Sequence, residues 1–164
     1  MKHRLIVMRH AKSSWDSPAE TDHDRPLNDR GRRDAPAVAA RLVELGWSPE
    51  VVLSSDSRRT RETFERMQPV LSPAGGVEYL SSLYHASIEA LCEALLTVSD
   101  DVRVVLALGH NPGWQQAVYW LSGESIEMKT ATAALLECDA ADWQSSVAAR
   151  EQWRLADTIS PRAL

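Results

Sequence analysis

The segment LIVMRHAKSSWD, residues 5–16, is the part of the sequence that decides the fold. Its four consecutive apolar residues predict a strand over 4–10 that is buried on both faces, as in a parallel sheet. The run ends on Arg9 and His10, so a cation and an imidazole stand where the strand reaches the sheet edge. Ligands bind at the carboxyl ends of strands in such sheets. We therefore expect this pair to belong to a site.

Length and composition limit the possible classes of protein. The chain has 164 residues, 44% of them hydrophobic and 25% charged, which fits one domain over 1–164 better than two. A formal charge of −5 argues against a nucleic-acid binder, which is usually basic. The apolar run is too short for a signal peptide or a membrane span. Cys92 and Cys138 do not suggest a disulfide framework, and no metal-type spacing occurs. We predict a cytoplasmic, metal-independent protein that binds neither nucleic acid nor membrane.

Apolar patterning alternates between strands and helices along the whole chain. The predicted strands cover 4–10, 51–55, 77–80, 102–108, 131–138 and 151–159. The predicted helices cover 28–46, a segment that Asp56 or Ser57 caps and Pro69 ends, 88–96, and a segment after GHNPG. This alternation predicts an α/β fold, a three-layer α/β/α sandwich around a mostly parallel sheet. The last two strands are expected to form an antiparallel edge.

Two helix starts carry specific expectations. Pro36 cannot donate a backbone hydrogen bond, so the first helix should either kink near residue 32 or restart at Asp34. In GHNPG, Asn111 is expected to cap the following helix, with Pro112 at its first position. His110 would then stand just before a helix N-terminus, where anions are favoured.

Three polar clusters follow predicted strands. They are MRH at 8–10, SSDSRRTRET at 54–63 and GHNPG at 109–113. Because parallel strands point their carboxyl ends toward one edge, we expect the three clusters to converge. In the second cluster, Arg59 aligns with the flank of the core-facing stripe, whereas Arg58 lies in an outward, salt-bridged row. Arg59 is therefore the arginine that we expect at the site.

Two arginines and two histidines without a metal motif favour phosphoryl chemistry. Arginine presents a fixed fork of donors that matches phosphate oxygens, and it stays charged. A neutral imidazole is a competent nucleophile and can form a covalent phosphohistidine. The residue types therefore indicate a pocket in which Arg9, His10, Arg59 and His110 handle a phosphoryl group.

The same segments resemble the histidine phosphatase superfamily, the phosphoglycerate-mutase-like proteins. RHAKSSWD resembles the opening R-H-G-x-S-x-W-N of that family, and SSDSRRTRET matches S-x-x-x-R-x-x-x-T, which selects Ser55, Arg59 and Thr63. LGHNPG is similar to the second-histidine motif of its small SixA-type branch, which acts on phosphohistidine. DRPLNDRG and MKTATAALLE are similar to that branch as well, so the resemblance spans nearly the whole chain.

The resemblance implies roles for particular residues. His10 would be the nucleophile that becomes phosphorylated, and Arg9, Arg59 and His110 would complete the phosphate pocket. Further contacts to phosphate or substrate are expected from the family motifs, at Ser13, Asp16 and Asn111. The family implies no metal and no organic cofactor.

The general acid cannot be assigned from the sequence. The chain has no room for the helical cap domain of larger relatives. The open alternatives are Asp16, Asp22, Asp24, Glu78 and His85, although His85 and His23 are interpreted first as loop residues. A missing acid and an open pocket favour phosphohistidine on a protein as the substrate, because its imidazole leaving group is readily protonated. A small-molecule phosphomonoesterase and a catalytically silent phospho-ligand-binding protein are the alternatives.

Overall fold

The computed structural model describes residues 2–16, 18 and 21–164, and its centre is a six-stranded sheet. The strands lie in the order β3-β2-β4-β1-β5-β6. Strands β1 to β4 run parallel, and β5 runs antiparallel to both of its neighbours. Their bounds are β1 Lys2–Arg9, β2 Val51–Ser55, β3 Val77–Leu80, β4 Val104–Gly109, β5 Ala133–Asp139 and β6 Arg154–Ile159. The predicted mostly parallel sheet with an antiparallel edge is confirmed.

Helices cover both faces of this sheet. They are α1 Asp29–Glu44, α2 Arg58–Met67, α3 Ile88–Leu95, α4 Gly113–Ser122 and α5 Trp143–Ser146, with short 3-10 turns at Asp22–Asp24, Ser81–Leu83 and Pro161–Ala163. Strand β1 sends Leu5 and Val7 into the core under α3, α4 and α5, and Ile6 and Met8 into the core under α1 and α2. All four side chains are fully buried, which explains the unbroken apolar run and confirms the three layers. In the part of the chain that the structure describes, no helix is both long and apolar enough to cross a bilayer.

Helix α1 differs from both alternatives expected at Pro36. The helix runs without a break from Asp29 to Glu44, and the side chain of Asn28 caps it by accepting a hydrogen bond from the Gly31 amide at 2.9 Å. Its buried face offsets the one backbone hydrogen bond that proline removes. That face consists of Gly31, Ala35, Val38, Ala39 and Leu42. Packing against the sheet therefore decides the helix here, and no second start at Asp34 is needed.

The start of α4 corrects the prediction that Asn111 is a cap. The helix begins at Gly113, Pro112 occupies the capping position, and no side chain caps it. The Asn111 amide instead donates to Gln115 Oε1 at 2.9 Å and to the Met128 carbonyl at 2.8 Å. These partners draw the side chain toward the segment before β5 and away from the helix amides.

Candidate active site

The register of the sheet brings the predicted polar clusters together. Arg9 pairs with Gly109 across β1 and β4, and the backbone amide of His10 donates to the Gly109 carbonyl at 3.0 Å. The ring centroids of His10 and His110 therefore lie 5.3 Å apart. Arg59, in the first turn after β2, places Nη2 3.3 Å from His110 Nδ1. The four residues that the sequence singled out thus lie together at one edge of the sheet.

The ring of His10 is held as a neutral group with one free nitrogen. Its Nδ1 lies 2.7 Å from the Ala11 carbonyl, and since a carbonyl only accepts, Nδ1 carries the proton. Burial, joined by the charges of Arg59 and Arg9 and opposed by the bond to the Ala11 carbonyl, lowers the pKa of His10 to about 3. The Ala11 amide donates to Thr63 Oγ1 at 3.0 Å, which fixes the backbone beside the ring. Nε2 therefore keeps its lone pair at neutral pH.

His110 has both ring nitrogens engaged within the protein. Nε2 lies 2.8 Å from Ser55 Oγ, while Nδ1 faces the Arg59 guanidinium, which can only donate. Burial lowers the pKa of His110 to about 2, with contributions from the nearby His10 and Arg59. The ring is thus neutral and accepts from Arg59. To donate to an oxyanion, it must gain a proton at Nδ1.

The two arginines of the pocket hold unsatisfied donors. The Nε atoms of Arg9 and Arg59 are buried and have no hydrogen-bond partner in the described residues. Arg9 is otherwise held by Nη1 donating to the Met128 carbonyl at 3.0 Å. Burial and the neighbouring Arg59 charge lower the pKa of Arg9 below its usual range. Unpaired buried donors cost about 1–3 kcal/mol each, and a tetrahedral oxyanion between the guanidinium groups would satisfy them.

Arg59 is fixed by Asp22, which the sequence analysis left open as one of several candidates for the general acid. Arg59 is 2% exposed, and it donates from Nη1 to the Asp22 carbonyl at 2.7 Å and from Nη2 to Asp22 Oδ2 at 3.0 Å. Asp22 also accepts from Arg25 Nε at 3.0 Å and from the Tyr84 hydroxyl. Burial alone would raise the pKa of Asp22, but the bonds from Tyr84, Arg25, His85 and Arg59 outweigh it and hold that pKa well below its usual range. Asp22 is therefore an anchor in its ionised form.

The three other residues that were expected to contact phosphate or substrate, at positions 13, 16 and 111, differ in burial and in hydrogen-bond partners. Ser13 is buried, and its Oγ accepts from Arg25 Nη1 at 2.7 Å. Asn111 shares the Met128 carbonyl with Arg9, and its Oδ1 is buried without a partner among the described residues. Asp16 is exposed, and its backbone amide bonds Ser14 Oγ at 3.2 Å. Ser13 is therefore held by Arg25, and Asn111 lies beside Arg9 through the shared Met128 carbonyl, whereas the Asp16 side chain is exposed.

Two residues at the site, Arg25 and Tyr84, were missed. Asp22 and His85 were among the open candidates for the general acid, and His85 was interpreted first as a loop residue. Arg25 lies within the DRPLNDRG segment and could have been identified there, because an arginine in a family-like motif is a candidate anion contact. The His85 ring lies 4.8 Å from His110, and its Nε2 lies 3.2 Å from Asp22 Oδ2. Among the described residues, no group of His, Cys, Asp or Glu is arranged to hold a metal ion.

The sheet, and the two arginines and the neutral histidine near its strand ends, are those of a phosphatase. Residues 5–83 match the family model of the histidine phosphatase superfamily, branch 1, and the chain belongs to that superfamily.

Relatives cover nearly the full chain. An uncharacterised chloroplastic protein of Arabidopsis thaliana is 40% identical over 171 residues, which cover 96% of this chain and 78% of the relative. The structure of a proposed phosphohistidine phosphatase SixA from Nakamurella multipartitia superposes with a TM-score of 0.86 at 25% identity, covering 98% of this chain and 97% of that one. A proposed SixA from Agrobacterium tumefaciens gives 0.81 at 26% identity, covering 97% and 98%.

The buried histidines predict a loss of stability in acid. Below pH about 6.5 the unfolded chain binds a proton on each imidazole. In the folded protein, His10 binds its proton only near pH 3 and His110 only near pH 2. The unfolded state therefore binds more protons, and the free energy of unfolding falls as the pH drops from about 6.5, by about 1.4 kcal/mol per pH unit for each ring. Urea unfolding between pH 7 and 4 measures this slope.

A double variant, His10→Asn with His110→Asn, provides the control for this titration. It should show a shallower loss of stability than the wild-type protein over the same pH range. If both proteins lose stability at the same rate, other groups cause the acid sensitivity and the two rings are not neutral in the folded state.

Proposed function

We propose that this phosphatase works through a phosphohistidine intermediate on His10 and that its substrate is phosphohistidine on a protein. The observation that carries the proposal is the neutral His10 ring, buried with its Nδ1 held by the Ala11 carbonyl. It lies beside two arginines whose Nε donors have no partner among the residues described. A free lone pair next to unsatisfied cationic donors is what nucleophilic attack on a phosphoryl group requires.

The reaction follows from this arrangement in two steps. His10 Nε2 attacks phosphorus, so the nitrogen–phosphorus bond forms while the bond to the leaving group breaks. Arg9 and Arg59 stabilise the charge on the phosphoryl oxygens. Water then attacks the phosphohistidine, phosphate leaves, and the His10 ring returns to its neutral state. The guanidinium groups supply the charge stabilisation that a metal provides in other phosphatases, so we propose that the reaction is independent of metal ions.

The mouth of the pocket supports a substrate held on another protein. Trp15 is exposed and lies against the Arg25 guanidinium, 3.6 Å from the ring centroid, at the edge of the loop that carries Asp22. His85 is half exposed beside His110. These exposed side chains at the site leave it accessible to a phosphorylated imidazole on a protein surface. The SixA-type structures with the same fold agree with this substrate.

A small phosphomonoester is the second candidate substrate. The observation that favours it is His85, a titratable side chain at the pocket that could protonate an ester oxygen. Phosphohistidine has less need of such a donor, because its imidazole leaving group is readily protonated.

A substrate panel tests the proposal. Initial rates are compared for a phosphohistidine-containing phosphocarrier protein, an aryl phosphate and a set of sugar phosphates, each with and without a metal chelator. We expect the highest kcat/KM on the phosphohistidine protein and no effect of the chelator. Faster turnover of small esters with none of the protein would overturn the proposed substrate. Phosphate binding without turnover of any donor would indicate a silent phospho-ligand-binding protein instead.

A further inference from the structure

We propose that His85, oriented by Asp22, is the proton donor to the leaving group and then the base for the attacking water. The inference rests on the proposed function, since it assigns a catalytic group to the same reaction. It assigns the general acid, which the sequence analysis left open.

The backbone fixes where the His85 ring stands. The residue adopts a left-handed conformation with φ of 50°, and the next residue, Ala86, packs its carbonyl against Gly113 at the start of α4. A Cβ at Gly113 would lie 1.9 Å from that oxygen, so only glycine permits this approach. This close approach holds residues 85–86 beside His110. The His85 ring lies 4.8 Å from that of His110, and the His85 side chain is 49% exposed.

The contact with Asp22 determines which ring nitrogen of His85 carries the proton. His85 Nε2 lies 3.2 Å from Asp22 Oδ2, and Asp22 is ionised, so Nε2 donates to it. Nδ1 is then the nitrogen that can carry the exchanging proton. A carboxylate opposite one ring nitrogen fixes the tautomer and stabilises the imidazolium that forms, as in hydrolytic triads. Arg59, Arg25 and the Tyr84 hydroxyl hold Asp22 in position for this role.

The other titratable groups near the pocket are poor candidates for the proton donor. His10 and His110 are neutral, and the nitrogens of His110 are engaged by Ser55 and Arg59. Burial and Asp22 raise the pKa of Tyr84, whose hydroxyl already donates to that carboxylate. Three further candidates from the sequence, Asp16, Asp24 and Glu78, are exposed side chains. Among the described residues, and apart from the nucleophile His10, His85 is thus the titratable group beside His110 that keeps a ring nitrogen without a hydrogen bond.

The distances suit a donor on the leaving-group side. The rings of His10 and His85 flank that of His110, at 5.3 and 4.8 Å from its centroid. An attacking nitrogen lies about 3–3.5 Å from phosphorus, and a proton donor about 2.6–3.2 Å from the leaving oxygen. Because both rings neighbour that of His110, we infer that a phosphoryl group bound to His10 has its leaving group on the side of His85. A cleft of about 140 Å³ lined by His85 and Asn111 leaves room for the rest of the leaving group.

The proposed reaction transfers one proton through His85 in each of its two steps. The lone pair of His10 Nε2 forms the bond to phosphorus, and the electron pair of the breaking bond takes the proton from His85 Nδ1; that bond joins phosphorus to an imidazole nitrogen in phosphohistidine and to an oxygen in an aryl phosphate. The neutral imidazole or phenol leaves, and His85 is neutral. In the second step, water donates a proton to His85 Nδ1 as its oxygen bonds to phosphorus. The nitrogen–phosphorus bond breaks, and inorganic phosphate is released.

A series of aryl phosphates with leaving groups of increasing basicity tests this role. The variant is His85→Asn, because asparagine adopts the left-handed conformation readily and transfers no proton. We expect kcat/KM for phenyl phosphate to fall by about 10²–10⁴-fold, while 2,4-dinitrophenyl phosphate, whose leaving group needs no proton, keeps most of its rate. A second variant, His85→Gly, should regain turnover of phenyl phosphate when free imidazole is added.

His23→Asn is the matched control. His23 packs edge-on against the same Tyr84 ring, with centroids 4.9 Å apart, but its Nε2 bonds Asp56 Oδ1 at 2.9 Å. Any loss of kcat/KM in the His23→Asn variant should be the same for every aryl phosphate in the series. An equal loss across the series for His85→Asn, with no imidazole rescue of His85→Gly, would overturn the inference and leave the proposed function standing. If the wild-type protein turns over no phosphoryl donor at all, the proposed function fails and the inference fails with it.

Discussion

Replacing His10 by asparagine is expected to abolish turnover of phosphorylated proteins and of aryl phosphates alike. The variant keeps an amide N–H that can donate to the Ala11 carbonyl in place of Nδ1, but it lacks the lone pair of Nε2. Loss of a covalent nucleophile lowers kcat by about five to six orders of magnitude. Single-turnover incubation with a ³²P-labelled donor should trap an acid-labile label on the wild-type protein and none on His10→Asn.

His3→Asn serves as the control for this experiment. His3 lies on the same strand and is fully buried, with its ring 4.8 Å from that of Trp143 at the opposite end of β1 from His10. We expect this variant to keep both turnover and the label, even if it loses stability. Turnover by His10→Asn at more than a trace of the wild-type rate, or a label on another residue, would show that His10 is not the nucleophile.

The fold could be predicted because its signals are local. Residues 5–8 are apolar without interruption, and all four are buried between two layers of helices. Ser57 caps α2 by accepting from the Thr60 amide, which settles the choice between Asp56 and Ser57. The errors arose where a tertiary contact outweighed a local preference. Asn111 has the chemistry of a helix cap, yet the Met128 carbonyl, 17 residues away, takes its amide.

The site could be predicted in part for the same reason. Arg9 ends β1, His10 and His110 directly follow β1 and β4, and Arg59 lies in the first turn of the helix after β2, so topology brings all four to one edge. Asp22 and His85 come from irregular segments that are 63 residues apart and meet only in the folded chain. No periodicity indicates such a contact. A buried arginine does require a partner, however, so Arg59 implied a carboxylate or carbonyl of this kind without identifying it.

Replacing Arg59 by methionine is expected to separate activity from stability. The guanidinium orients Asp22 and His110 and offers an unpaired Nε to the phosphoryl group, so its loss should lower kcat/KM by about 10³–10⁵-fold. The free energy of unfolding should change by only about 1 kcal/mol, because Asp22 is 42% exposed and water can replace its lost partner. Methionine also fills the buried space without the cost of desolvating a charge.

The neighbouring arginine of the same helix provides the control. Arg58 is 54% exposed and pairs with Glu62 at 3.8 Å on the solvent side of α2. Arg58→Met should keep wild-type turnover and change stability by no more than about 0.5 kcal/mol. Steady-state kinetics and urea unfolding on both variants distinguish the possibilities. If Arg59→Met unfolds the protein, Arg59 is a structural ion-pair partner first; if it keeps its activity, the oxyanion lies elsewhere. A large loss of rate in a stable protein, absent from Arg58→Met, is the result that the buried position of Arg59 predicts.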